Sequence, residues 1–270
     1  MRLAWLTDIR LNFVEDSPRR HFLEEVRESA DAVVISGDVG ESHNIARYLL
    51  EIEAVIQKPI YFVLGNHDFY RDSVAKTRQR ITELAAEAKH LQYLTAMEVI
   101  ELSPQTTIIG HDGWADGRFG DYQGTEEILN DHLLIAELAQ WSKNYQLDKM
   151  GLSKTLTALA DVAAQHFERV LGEAVVKYSK IIAVTHVPPF REAAWYQGKI
   201  SNDDFLPYFA CKVVGDVFKR VMQANPQVDL LVLCGHTHGG GEVRILPNLQ
   251  VLTGAAEYGK PKIERVLEER

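Results

Sequence analysis

Short apolar runs that end in polar or glycine-rich turns recur along this chain. Their length and their content of β-branched residues are typical of buried strands. These runs predict strands at Arg2–Thr7, Ala32–Ser36, Ile60–Leu64, Thr106–Ile109, Ile181–Thr185 and Leu230–Cys234. Further strands are predicted near the end of the chain, at Arg244–Leu246, Gln250–Thr253 and Ile263–Leu267.

Helical periodicity fills the spaces between the early strands, and the alternation of the two patterns is typical of β-α-β units. It predicts helices at about Arg19–Ser29, Asn44–Gln57 and Asp72–Lys89. In the middle of the chain, Thr125 is a candidate N-cap for a further helix, and apolar residues from Leu152 to Tyr178 recur every three or four positions. We therefore expect one domain over residues 1–270, with a helical insert at about 125–180.

The composition is typical of a globular protein, and the net charge limits the classes of partner that the chain is expected to bind. It has 270 residues, of which 46% are hydrophobic, and a formal net charge of −9. This charge gives no strong nucleic-acid signal and no reason to expect an anionic membrane as partner. Two cysteines, Cys211 and Cys234, cannot form a disulfide framework, and no apolar run has the length of a membrane helix or signal-peptide core. We expect a cytoplasmic protein; its oligomeric state cannot be predicted.

Polar side chains that could bind metal follow the predicted strands at the point where each strand ends. The carboxyl ends of parallel strands face a common crevice, so these side chains are expected to gather there. In chain order they are Asp8, Asp38, Asn66, His67, Asp68, His186, His236 and His238.

The chemistry of this set points to metal ions, although each member alone is weak evidence. A Gly-Asp pair is usually a turn, and a single histidine such as His186 is more often structural. Together, the carboxylates, the amide oxygen and the imidazoles suit Mn, Fe, Zn or similar ions, and the absence of thiolates argues against a structural zinc site. One carboxylate can also bridge two ions about 3.5–4 Å apart.

The order of these motifs resembles that of the calcineurin-like metallophosphoesterases: D-x-H, G-D, G-N-H-[DE], H and G-H-x-H. The resemblance runs from Asp8 to His238. It implies a four-layer αββα sandwich of two mixed β-sheets flanked by helices. It also implies two divalent or trivalent metal ions, the first held by Asp8, Asp38 and His238, and the second by Asp38, Asn66, His186 and His236.

The same resemblance assigns catalysis to His67, with Asp68 orienting its ring. The expected reaction is hydrolysis of a phosphomonoester or phosphodiester by metal-activated water, with a small-molecule phosphate ester or a phosphoprotein as substrate. The alternative is a non-catalytic or metal-poor binding module on the same fold.

One residue departs from the family pattern. Arg10 stands where the first motif has histidine, and a guanidinium has no free lone pair for a metal. The first metal position is therefore expected to be weak. Arg10 is a candidate donor to Asp8 or to the substrate phosphate, while Asn12 is a candidate replacement ligand. Aromatic and basic residues in predicted loops either line the pocket or pack inside the protein: Trp114, Arg118, Trp195, Tyr196 and Lys199.

Overall fold

The computed structural model describes residues 1–143 and 146–268. Its strands are β1 Arg2–Leu6, β2 Ala32–Ser36, β3 Ile60–Val63, β4 Leu91–Tyr93, β5 Ile100–Glu101, β6 Thr106–Gly110, β7 Ser142–Lys143, β8 Gln146–Leu147, β9 Lys180–Val184, β10 Trp195–Tyr196, β11 Lys199–Ile200, β12 Asp229–Cys234, β13 Gly241–Leu246, β14 Leu249–Thr253 and β15 Arg265–Glu268. Its α-helices are α1 Asp16–Ser29, α2 Ile45–Ile56, α3 Val74–Glu87, α4 Asp131–Leu134, α5 Ala136–Ala139, α6 Lys149–Lys177, α7 Leu206–Phe209 and α8 Lys212–Ala224.

Two mixed sheets form the centre of the molecule. The first has the strand order β15-β1-β2-β3-β4, and the second has the order β13-β14-β12-β9-β6-β5. Within the first, β1 to β4 are parallel and β15 is antiparallel to β1. Within the second, β6, β9, β12 and β14 are parallel, while β5 and β13 are antiparallel edge strands.

The sheets pack against each other through one face and against helices through the other. Trp5 and Val34 of the first sheet share an apolar cluster with Ile182 and Leu233 of the second. Their neighbours Ala4 and Val33 belong to the larger cluster on the helical side, as expected where successive strand residues face opposite sides. The result is the predicted αββα sandwich.

The principal strands and the first three helices confirm the sequence pattern, whereas the middle of the chain differs. The helix predicted from Thr125 is wrong: Thr125 Oγ1 donates to the carbonyl of Asp204, and the first helix of this region begins at Asp131. Helix α6 confirms the predicted long helix. Helices α7 and α8 and the short strands β4, β5, β7, β8, β10 and β11 were not predicted from the sequence.

Both cysteines are free and buried. Among the described residues, no helix has the length and hydropathy needed to cross a membrane.

Candidate metal centre

The predicted site residues come together at one edge of the two sheets. The turns after β1, β2 and β3, and then after β9 and β12, carry in order Asp8 and Arg10, Asp38, Asn66 and His67, His186, and His236 and His238. A link between the sheets runs from His186, whose Nδ1 lies 2.8 Å from the carbonyl oxygen of Ser36. The parallel strands thus direct all these turns into one crevice.

Strained backbone is concentrated in these turns. The φ angles of five site residues lie between 38° and 72°, in the left-handed region: Asp8, Arg10, Asp38, His236 and His238. Each such residue costs on the order of 1–3 kcal/mol and persists only when its surroundings hold it in place. The surrounding structure therefore holds these turns in conformations that place their side chains in the crevice.

Two glycines of the motifs permit the close approach of the turns. A Cβ at Gly65 would lie 2.2 Å from Asp38 Oδ1, and a Cβ at Gly235 would lie 2.1 Å from Asp8 Oδ2. Both distances are far below van der Waals contact. Only glycine at these positions lets the carboxylates reach the centre of the crevice.

The site has two sides that share Asp38. We call the group formed by Asp8, Asp38, His238 and Arg10 the arginine side. We call the group formed by Asp38, Asn66, His186 and His236 the histidine side.

On the arginine side, one nitrogen of Arg10 meets all three neighbours. Arg10 Nη2 lies 2.6 Å from Asp38 Oδ2, 2.7 Å from His238 Nε2 and 3.4 Å from Asp8 Oδ1. Arg10 Nε donates to the same Asp38 oxygen at 3.2 Å. The side chains of Arg10, Asp8 and Asp38 are almost completely buried.

The charges on this side are fixed by their neighbours. Although burial acts in the opposite direction, the carboxylates of Asp38 and Asp8 raise the pKa of Arg10, so its guanidinium stays charged. Burial, together with the charge of Arg10, lowers the pKa of His238 to about 4. His238 is therefore a neutral imidazole, and its Nε2 accepts the hydrogen bond from Arg10.

On the histidine side, an amide oxygen and two ring nitrogens converge. Asn66 Oδ1 lies 2.9 Å from His186 Nε2 and 2.9 Å from His236 Nδ1. The other ring nitrogens face backbone carbonyls: His186 Nδ1 lies 2.8 Å from Ser36 O, and His236 Nε2 lies 2.9 Å from Tyr208 O. Burial lowers the pKa of His236, so its ring is neutral: its Nε2 carries the N–H that the Tyr208 carbonyl requires, and its Nδ1 presents a lone pair to Asn66 Oδ1. Although burial acts in the opposite direction, the carboxylates of Asp38 and Asp8 raise the pKa of His186.

The side-chain amide of Asn66 is held in the orientation that directs its oxygen at the two rings. Its Nδ2 donates to Asp131 Oδ1 at 2.8 Å, and the Tyr70 hydroxyl donates to the same oxygen at 2.7 Å. A flipped amide would place its oxygen against the Asp131 carboxylate. Asp131 belongs to α4 and has no motif around it, so sequence reasoning had no signal by which to find this contact.

Asp38 joins the two sides. Its Oδ2 accepts from Arg10, while its Oδ1 accepts from the backbone N–H of His67 at 2.9 Å and lies 3.5 Å from His186 Nε2. Burial acts to raise the pKa of Asp38, but His67, His186 and Arg10 hold it well below its usual range. Asp38, Asp8 and His186 form a buried group that could hold a metal ion, with ligand atoms within 4.8 Å of one another.

His67 lies beside the centre. Its ring stacks on Tyr70 with 4.3 Å between ring centroids, and its Nε2 lies 3.9 Å from Asp38 Oδ2. Burial, assisted by the charge of Arg10, lowers the pKa of His67. His67 is therefore neutral at pH 7, and one ring nitrogen carries a proton that it can donate.

Asp68 has different partners from those that the resemblance implies. Its Oδ2 accepts from the backbone N–H groups of Asp38 and Gly65, and its Oδ1 accepts from those of Val39 and Gly40. Within the described part of the chain, the His67 ring is not among the hydrogen-bond partners of this carboxylate. Asp68 instead holds the turn that carries Asp38.

Asn12, the candidate replacement ligand, lies in the 3₁₀ turn Leu11–Phe13. Its Oδ1 is buried and has no hydrogen-bond partner among the described residues. Asp8, Asp38 and His238, to which the resemblance assigns the first metal, lie within hydrogen-bonding distance of Arg10.

A cleft of about 210 Å³ opens over the centre. Its polar lining includes Arg10, Asn66, His67 and residues of the G-H-T-H motif. Apolar and aromatic residues also line it: Leu129, Tyr196, Phe205 and Phe209. Of the loop residues considered from sequence, Tyr196 lines this cleft, whereas Trp114 is buried and packs near Phe69.

Comparison with solved structures finds the same fold at low sequence identity. Phosphopantetheinyl hydrolase (PptH) from Mycobacterium tuberculosis matches with a TM-score of 0.61 and 12% identity, over 95% of this chain and 89% of that one. A dimetal phosphatase from Danio rerio matches with a TM-score of 0.58 and 15% identity, over 97% and 89% of the two chains. A protein from Thermus thermophilus matches with a TM-score of 0.53 and 13% identity, over 94% and 88%.

A comparison with curated proteins finds no matching sequence. The family model described as calcineurin-like phosphoesterase matches residues 1–240, which include every residue of both sides of the centre. This chain belongs to the calcineurin-like phosphoesterase family.

Proposed function

We propose that this protein hydrolyses a phosphate ester with a metal ion held on the histidine side. The observation that supports this most strongly is the meeting of Asn66 Oδ1, His186 Nε2 and His236 Nδ1 within hydrogen-bonding distance. His236 Nδ1 and Asn66 Oδ1 present lone pairs to each other, and this contact is repulsive unless a cation lies between them. A metal ion bound there would also take the lone pair of His186 Nε2 in place of a proton.

The donor set fits a metal ion. Two imidazoles, an amide oxygen and the shared carboxylate of Asp38 suit Mn, Fe, Zn or similar ions. The carbonyls of Ser36 and Tyr208 fix the tautomers of the two rings. A divalent ion bound there would supply positive charge to the phosphoryl group and make water a stronger acid.

The residues of the chain have distinct tasks in this proposal. Arg10 lines the cleft and holds a permanent positive charge beside Asp8 and Asp38, which reduces the repulsion between these carboxylates and the phosphoryl oxygens. As water adds to phosphorus, the ester P–O bond breaks and the departing oxygen needs a proton. We assign the donation of that proton to His67, whose ring Tyr70 holds at the cleft.

The cleft favours a small ester with an apolar or aromatic alcohol. Tyr196, Phe205 and Phe209 form one aromatic cluster, with ring centroids 5.3 to 5.6 Å apart. Among the described residues that line the cleft, Arg10 is the one lysine or arginine. A chain of several phosphates would require more cations than this cleft offers.

The test is hydrolysis of paired monoesters and diesters, one of each pair with an aryl and one with a short polar alcohol, in the presence of Mn²⁺ and after chelation. We expect metal-dependent turnover that is faster for the aryl member. His186→Ala serves as the inactive comparison, and His43→Ala, an exposed histidine, serves as its matched control. Metal binding without turnover of any ester would instead support the non-catalytic binding module.

A further inference from the structure

The arginine side does not fit the metal ion that the family pattern places there. An ion bound by Asp8, Asp38 and His238 would have to lie about 2 Å from an atom of each residue. Arg10 Nη2 already lies among those atoms, at 3.4, 2.6 and 2.7 Å respectively. The guanidinium nitrogen and a metal ion would occupy the same space.

The charge of Arg10 opposes a metal as strongly as its position does. An arginine side chain stays protonated at ordinary pH, so its guanidinium has no free lone pair with which to bind a metal ion. A cation entering this side would therefore meet a fixed positive charge at bonding distance.

Arg10 is also held in place from several directions. Its backbone N–H donates to the carbonyl of Asp38 at 2.9 Å, with φ at 38°. Its guanidinium carbon lies 4.5 Å from the ring centroid of Tyr258, which covers it as a cation–π partner. Its side chain is 3% exposed. Arg10 is therefore a buried part of the site with fixed contacts, unlike an exposed surface arginine.

The histidine side offers a direct contrast. An amide oxygen and two ring nitrogens converge there, and carbonyls orient both rings. Within the described part of the chain, no lysine or arginine contacts Asn66, His186 or His236 in the way that Arg10 contacts the arginine side. One side is prepared for a cation, while the other already contains one.

We propose that the guanidinium of Arg10 replaces the first metal ion and that this protein works with a single metal, bound on the histidine side. This inference rests on the proposed function only for its consequence in catalysis, since the number of ions bound can be measured without turnover. Arg10 then supplies part of the positive charge that the first ion would otherwise place near the phosphoryl group.

The experiment is a metal titration of the chelator-treated protein with Mn²⁺, followed by calorimetry, elemental analysis and electron paramagnetic resonance. The wild-type protein is expected to bind one ion per chain and to show the hyperfine signal of an isolated Mn²⁺. Arg10→His restores the family ligand and is expected to bind two ions, with the signal of an exchange-coupled pair.

Arg71→His is the matched control, because Arg71 is likewise an arginine with positive φ but is largely exposed. It should bind one ion, as the wild type does. Two tight ions in the wild-type protein would overturn the proposal, and Asn12→Ala would then show whether Asn12 is the replacement ligand. The wild-type count decides the matter even if Arg10→His fails to fold. One bound ion without hydrolysis would instead reject the proposed function and leave this inference intact.

Discussion

The two sides of the centre share the carboxylate of Asp38 but differ in whether a positively charged side chain lies among their polar atoms. On the arginine side, Arg10 pairs with both Asp8 and Asp38, so one positive charge offsets one of the two negative charges. On the histidine side, Asn66 Oδ1 meets the lone pair of His236 Nδ1, and among the described residues no lysine or arginine is hydrogen-bonded to Asn66, His186 or His236. A single substitution in one turn thus changes which half of a paired site requires a metal.

The largest expected difference between the sides concerns metal retention. His186→Ala removes a ligand from the histidine side, so bound metal and turnover should both be lost. His238→Ala removes a neighbour of Arg10, so the metal should remain bound. Elemental analysis of both variants after gel filtration measures this. If each variant lost one of two ions, the centre would be dinuclear and the comparison would fail.

His67 separates chemistry from metal binding. His67→Ala should lower kcat by about 10²–10⁴-fold, the usual contribution of a proton donor, with the bound metal unchanged. Steady-state kinetics beside metal analysis measures both quantities. Loss of the metal together with activity would show that His67 acts as a ligand.

Asp131 is expected to strengthen metal binding on the histidine side. Because its carboxylate holds the Asn66 amide in one orientation, Asp131→Ala should weaken metal binding by about 10–100-fold. Tyr70→Phe keeps that contact and should have a smaller effect. Isothermal titration with Mn²⁺ measures both, with Asp161→Ala, an exposed aspartate on α6, as control. Unchanged affinity in Asp131→Ala would mean that Asn66 needs no such support.

Asp68 is expected to affect stability more than chemistry. Asp68→Asn replaces an acceptor with an NH₂ group that faces backbone N–H donors, which costs about 1–3 kcal/mol of the free energy of unfolding. Urea denaturation measures this cost. Unchanged stability with a large fall in kcat would restore the role that the resemblance implies, in which Asp68 orients His67.

The strands and most of the centre could be predicted from the sequence, because an apolar run and the polar motif that follows it are formed by neighbouring residues. Arg10 could be recognised as a departure for the same reason. Its contact with Asp8 was one of the predicted alternatives. Its contacts with Asp38 and His238 could not be predicted, because they depend on how turns of both sheets come together.

Asp131 and Asp68 show the same limit. Asp131 reaches Asn66 from a four-residue helix 65 positions away, and no pattern in the sequence marks it. Asp68 was expected to serve the neighbouring histidine, whereas four backbone N–H groups of adjacent turns use both of its oxygens. Tertiary packing, rather than motif spacing, decides these contacts.

Anomalous scattering from wild-type crystals grown with Mn²⁺ distinguishes one bound ion from two. We expect one peak, surrounded by Asp38, Asn66, His186 and His236, with the guanidinium of Arg10 in density between Asp8 and His238. A second peak at bonding distance from Asp8 and His238, with Arg10 displaced, would contradict this expectation.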